Sequence, residues 1–165
     1  MNIAIVGATG NVGRKTLEVL EKKNLPFEKL YLVASQKSAG KKINFRKKEI
    51  VIESLENYDF TKAKITFFAA GSQIAKEWAT RASKKTIVID NSSYFRMQKD
   101  VPLVVPEVNA DALNKHNNII SNPNCSTMQM VLVLKPLHDE YRIKRVIVST
   151  YQAVSGAGKD SMDEL

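Results

Sequence analysis

The stretch Asn2-Ile3-Ala4-Ile5-Val6-Gly7-Ala8-Thr9-Gly10-Asn11-Val12-Gly13 decides the fold of this chain. A short apolar run that stops at a glycine reads as a buried strand, and the residues that follow read as a helix with Val12, Thr16, Leu17, Val19 and Leu20 on its apolar face. The glycines between them permit a tight turn and a close approach of backbone to a pyrophosphate. The free N–H groups of the helix start would then bind that anion. Gly7 and Gly10 are therefore candidate cofactor-binding residues. The spacing is G-x-x-G-x-x-G rather than G-x-G-x-x-G, so the strand and helix around the glycines carry the reading.

The next strand, Leu30 to Ala34, chooses the dinucleotide. An NAD site expects a carboxylate at this strand's end for the ribose 2′-hydroxyl, whereas the chain continues Ser35-Gln36-Lys37-Ser38-Ala39-Gly40. Lys37 and Ser38 suit a 2′-phosphate, so NADP is the expected cofactor.

Further strands are expected at Ile50 to Ile52, Ile65 to Ala69 and Thr86 to Ile89, with a helix from about Gln73 to Ser83 between the last two. This alternation predicts an α/β fold with a doubly wound, mostly parallel sheet. Small polar turns at Ala69-Ala70-Gly71-Ser72 and Asp90-Asn91-Ser92-Ser93 fall at carboxyl ends of strands, the edge where open sheets bind ligands. That makes Gly71 a further cofactor candidate. Arg96 follows in a loop, where a guanidinium can clamp phosphate or carboxylate. The chain then reads as extended through Val101 to Asn109, as a short helix over Ala110 to Lys115, and as a strand at Ile119-Ile120.

The single cysteine lies in Ser121-Asn122-Pro123-Asn124-Cys125-Ser126-Thr127, where a turn gives way to an apolar helix. Unpaired N–H groups and the positive end of a helix dipole favour an ionised thiol, so Cys125 is a candidate nucleophile. Against this stands the ordinary packing role of a lone cysteine beside Met128, Val131 and Leu132; its polar flanks argue for chemistry. Neither His116 nor His138 is placed to pair with it, and no metal-ligand spacing occurs. After the helix, Arg142 to Arg145 leads into Val146 to Gln152, which reads as a sheet strand followed by Ala153-Val154-Ser155-Gly156-Ala157-Gly158, and Lys159 to Leu165 reads as the first turns of a helix. A domain seldom stops there, so an incomplete second domain is expected.

Composition narrows the classes. The 165 residues are 44% hydrophobic, enough for a core, and no apolar run is long enough to span a membrane. One cysteine and a start without a leader pattern suit a reducing, cytoplasmic setting. The net charge of +8 comes largely from scattered lysine pairs such as Lys22-Lys23 and Lys47-Lys48, not from one basic face. Small acidic ligands are favoured over nucleic acid.

Taken together, the glycine turn, Ser35 to Gly40, Asp90-Asn91-Ser92-Ser93-Tyr94-Phe95-Arg96, Val101 to Asn109, Ser121 to Thr127 and Tyr151 to Gly158 resemble the amino-terminal half of the aspartate-semialdehyde dehydrogenase family. The resemblance implies a Rossmann-like NADP-binding domain over 1–121 and, over 122–165, the truncated start of an α+β catalytic and dimerisation domain. It also implies Cys125 as the acyl-thioester nucleophile, Gln152 as a catalytic residue contacting substrate, Arg96 and Asn124 as substrate and phosphate ligands, and Thr9, Asn11, Val12, Ser155 and Gly156 as further NADP contacts. The substrates implied are aspartyl phosphate, aspartate semialdehyde and phosphate, in a homodimer or homotetramer. The family's acid/base histidine and its remaining substrate cations would lie outside the chain, so these 165 residues alone are expected to be inactive. Lys37 stands where the family often has arginine. The nearest alternatives are an N-acetyl-glutamyl-phosphate reductase, which usually has glycine where Asn124 stands, and a non-catalytic NADP-binding fragment.

Overall fold

The computed structural model describes residues 1–157, 161, 162 and 164. Seven strands form one sheet in the order β3-β4-β2-β1-β5-β6-β7. They are β1 (Asn2–Val6), β2 (Lys29–Ala34), β3 (Lys42–Phe45), β4 (Lys48–Ser54), β5 (Ile65–Phe68), β6 (Ile87–Asp90) and β7 (Ile119–Ser121). All pairings are parallel except the β3–β4 hairpin at one edge.

Side chains on a strand point alternately to opposite faces, and β1 uses both. Ile3 and Ile5 pack with Leu17 and Leu20 of helix α1 (Asn11–Lys22) on one face. Ala4 and Val6 pack on the other with Ala75, Ala79 and Ala82. Ala75 and Ala79 belong to a π-helical turn over Ala75–Ala79, which continues α2 (Gly71–Ile74), and Ala82 to α3 (Thr80–Ala82). A sheet covered on both faces explains why its strands read as nearly continuous apolar runs. Burying each of Leu17 and Leu20 contributes roughly 1.5–3 kcal/mol. This is a Rossmann-like, doubly wound fold, with the order reversing between β1 and β5.

Several expectations need correction. The buried face of α1 is Gly13, Leu17 and Leu20, while Val12 and Val19 are exposed. The helix turns its glycine, not its valines, onto the sheet because it approaches too closely for a side chain at that point. β3 is an added edge strand, and β4 is longer than Ile50 to Ile52. The helix after β5 begins earlier, at Gly71. Within the segment expected to be extended, Pro106–Asn109 forms a helical turn, α4, with proline in its first turn. The Asn109 side chain closes it by accepting from Val105 N at 2.8 Å and donating to Leu103 O at 2.9 Å. Residues 110–115 form a 3₁₀ turn.

Helix α5 (Cys125–Tyr141) starts at the cysteine, as its caps predicted, and buries none of its residues. Val146 to Gln152 is not a strand: among the described residues no neighbour pairs with it, and a strand exists only through its partner's hydrogen bonds. Val146, Ile147 and Tyr151 there are exposed. Gly158 and most of the helix expected from Lys159 lie outside the described residues.

Candidate active site

The site is built where β1, β2, β4, β5 and β6 present their carboxyl ends. Gly7 N donates to Val33 O at 2.8 Å and Gly10 N to Gly7 O at 3.1 Å, folding the glycine turn back over the end of β2. A side chain at Gly7, whose φ is +84°, would meet Ala69 O at 2.6 Å; one at Gly13 would meet Gly7 O at 2.2 Å. Both distances are shorter than a carbon atom tolerates, so strand, turn and helix pack in a way only glycine permits. Gly10 caps α1 without a side-chain hydrogen bond, leaving the first N–H groups of this 12-residue helix open to an anion.

Beside the turn lies a cavity of about 500 Å³. Gly7, Thr9 and Gly10 line it from one side, Ala34 and Ser35 at the end of β2, and Ile74 and Trp78 from the opposite helical layer. Apolar walls beneath an open helix N-terminus fit a dinucleotide. Lys37 and Ser38 are not in this lining; they sit just outside, on the 3₁₀ turn Gln36–Ser38, with Lys37 exposed. A larger cleft of about 610 Å³, lined by Lys29, Tyr31, Phe45 and Glu49 among others, includes none of the candidate site residues.

Arg96 and the cysteine loop are joined by a hydrogen-bonded frame. Arg96 Nε donates to Asn122 O at 3.0 Å and Nη2 to Asn91 O at 3.1 Å. Asn122 in turn donates from Nδ2 to Asn91 Oδ1 at 2.7 Å, and Asn91 Nδ2 to Phe68 O at the end of β5 at 3.3 Å. Below them Asp90 is fully buried and accepts from Ser92 Oγ at 2.6 Å. Burial pushes its carboxyl above the ordinary range, against the opposing pull of the Ser92 hydrogen bonds and the Arg96 charge.

Cys125 is exposed at the first position of α5. Asn124 Oδ1 caps that helix, accepting from Ser126 N at 3.0 Å and Ser126 Oγ at 2.8 Å, with the Cys125 thiol at 3.7 Å. Only the amide nitrogen of Asn124 is then left for a ligand. Gly71 has a φ of +82° at the start of α2, with open space where a side chain would project.

The last candidates are less gathered. Gln152 is exposed and folds against Gly156, where an added Cβ would lie 2.2 Å from its Nε2. Ser155 and Gly156 lie in the exposed turn Val154–Ala157. Farther along the chain, Asn11 Nδ2 approaches Met162 Sδ at 3.5 Å. His116 Nδ1 accepts from Asn118 N at 3.0 Å, and His138 is about 20 Å along α5 from Cys125 at 1.5 Å per residue. No group of three or more His, Cys, Asp or Glu residues among those described is arranged to hold a metal, and no described helix is long and apolar enough to cross a membrane.

Glu56 and Glu77 also line the cavity, and the sequence reading missed both. Glu56 follows β4 as Ser35 follows β2; only the sheet order brings it to the same site.

Residues 2–116 match the family model described as semialdehyde dehydrogenase, NAD binding domain, and residues 134–165 the corresponding dimerisation domain. The chain is 52% identical to the aspartate-semialdehyde dehydrogenase of Rickettsia bellii, over 99% of its own length and 49% of the relative's. Among solved structures it is similar to aspartate semialdehyde dehydrogenase II of Vibrio cholerae complexed with ASA, with a TM-score of 0.95 and 46% identity over 99% of this chain and 49% of that one. The enzyme of Candida albicans with NADP gives a TM-score of 0.70 at 29% identity, over 85% and 47%. The chain spans about half the length of the curated relatives it matches.

Proposed function

Because the chain belongs to the semialdehyde dehydrogenase family, we propose that it carries the dinucleotide site and the nucleophile of an NADP-dependent aspartate-semialdehyde dehydrogenase. Residues 1–121 would form the NADP-binding domain and 122–165 the beginning of a catalytic and dimerisation domain, within a homodimer or homotetramer. The reaction is reductive dephosphorylation of aspartyl 4-phosphate to aspartate 4-semialdehyde, a step toward lysine, methionine and threonine. What chiefly supports this is the tie between Arg96 and Asn122, which keeps a guanidinium beside the loop that ends at Cys125.

In this reading the Cys125 thiolate attacks the C4 carbonyl of aspartyl phosphate. A C–S bond forms, the acyl C–O bond breaks, and phosphate leaves onto Arg96, whose free N–H groups suit a bidentate anion. A reduced nicotinamide, when bound, would supply the hydride that reduces the resulting thioester; the C–S bond then breaks, releasing the aldehyde and returning Cys125 as the thiolate. Gln152 orients the acyl group and the Asn124 amide contacts it. Gly7, Thr9, Gly10, Asn11, Val12 and Gly71 hold the dinucleotide with Ser155 and Gly156, and Lys37 and Ser38 take its 2′-phosphate. NADP is supported by Ser35, where an NAD site would have a carboxylate, and by the NADP of the Candida albicans relative. The resemblance assigns proton transfer to a histidine outside these residues, and His138 lies far along α5 from Cys125.

The test is to assay the protein that carries this chain at full length for NADP reduction with aspartate semialdehyde and phosphate. Phosphate-dependent turnover that Cys125→Ser abolishes is expected. Turnover without phosphate, or retained by Cys125→Ser, overturns the reading.

A further inference from the structure

We propose that Glu56 reads the base of the bound dinucleotide, its carboxylate accepting a hydrogen bond from the exocyclic amino group of adenine. This rests on the dinucleotide reading above and adds to it the residue that selects the base.

The argument begins with the order of strands. From the turning point at β1 the sheet continues outward through β2 and then β4. Neighbouring strands lie just under 5 Å apart, so the end of β4 stands about 10 Å from the end of β1. A dinucleotide whose pyrophosphate rests on the glycine turn of β1 carries its ribose over β2 and its base farther out. The residue that follows β2 is Ser35, at the ribose; the residues that follow β4 are Leu55 and Glu56, at the base. Leu55 N donates to Ala34 O at 2.9 Å, which locks the two strand ends side by side.

The cavity offers a base what it needs. Leu55, Ile74 and Trp78 provide apolar surface for a flat ring, and Glu56 stands exposed at the same lining. The carboxylate does not swing freely: Ser54 Oγ, on a buried residue, donates to Glu56 Oε2. The same hydrogen bond holds the Glu56 carboxyl below its ordinary range, so it is ionised at neutral pH. An ionised carboxylate only accepts hydrogen bonds. It pairs with the amino group of adenine and repels the carbonyl oxygen that takes that place in hypoxanthine. Glu77 lines the cavity from the helical layer and serves as the control carboxylate.

The experiment compares binding of NADP with binding of its hypoxanthine analogue, following the fluorescence of Trp78 in the cavity wall. Both ligands carry the same phosphates and riboses, so their affinity ratio is blind to partial misfolding or to changes at the phosphate sites. The wild-type protein should bind NADP about tenfold more tightly, the size of one charge-assisted hydrogen bond at an exposed position. Glu56→Ala should bring the ratio close to one. Glu56→Gln, whose amide can donate to the carbonyl, should bring it to one or below, and Glu77→Gln should leave it at the wild-type value. Equal wild-type affinities, a preference that survives Glu56→Ala, or a preference lost in Glu77→Gln instead overturns the assignment. If neither dinucleotide binds at all, the dinucleotide reading itself fails and the role of Glu56 falls with it.

Discussion

Arg96 reaches across the sheet edge to Asn122, its Nε donating to that residue's carbonyl oxygen at 3.0 Å. A second donor, Nη2, holds Asn91 O at 3.1 Å, so one planar group ties the loop after β6 to the loop that leads into Cys125. The guanidinium is thereby fixed in orientation before any anion arrives, and its remaining N–H groups are free to bind one. Fixing a binding group in advance reduces the entropy lost on binding.

Arg96→Lys keeps the charge but cannot span both carbonyls. In the full-length protein it should raise the KM for phosphate roughly tenfold or more, the effect of losing hydrogen bonds to a charged group. Steady-state kinetics at varied phosphate decides this. An unchanged KM for phosphate would remove Arg96 from the site.

The two glycines with the most contrasting surroundings should respond differently to alanine. Gly13→Ala drives a Cβ to 2.2 Å from Gly7 O and should cost about 2 kcal/mol or more, lowering Tm by several degrees. Gly71→Ala meets open space and suffers only its φ of +82°, a cost of about 1 kcal/mol. Thermal unfolding of the two variants side by side should rank them in that order.

Lys37 stands on the turn after β2, outside the cavity proper. If it meets a 2′-phosphate there, Lys37→Ala should weaken NADP binding about tenfold and leave NAD binding unchanged. Titration with both dinucleotides gives the answer, and equal losses for the two would assign the 2′-phosphate elsewhere.

Asp90 makes a pH prediction whose sign follows from its burial. Its carboxyl lies above the ordinary range in the folded protein, so the folded state holds the proton more tightly than the unfolded chain does. Well below the ordinary aspartate range both states are protonated and the residue contributes nothing to the pH dependence. As pH rises from that range through the raised folded value, folding must bear the growing cost of a buried charge. Asp90→Asn removes this cost, so its stability relative to wild type should improve as pH rises from about 4 toward neutrality. Urea unfolding of both proteins across that range measures the trend; a difference independent of pH would contradict it.

The strand, glycine turn and helix at the start, the alternation that follows, and the helix start at Cys125 were all legible in the residues, because each rests on local chemistry. Apolar runs make strands, positive φ and close approach call for glycine, and Asn124 caps the helix it precedes. Individual candidates were likewise visible by type, Arg96 and Cys125 among them. Their connection through Asn91 and Asn122 was not, since it joins residues far apart in sequence whose meeting depends on β6 lying beside β7. Glu56 escaped notice for the same reason: its place beside Ser35 exists only because β4 pairs with β2. Misreadings came where a local pattern had no partner or the wrong neighbour. The alternation from Val146 to Gln152 has no adjoining strand among the described residues, and Val12 gave way to Gly13 at the sheet because the helix packs too close for a side chain. Local preference therefore determined which elements form, and long-range pairing, which no local pattern encodes, decided which side chains share a site.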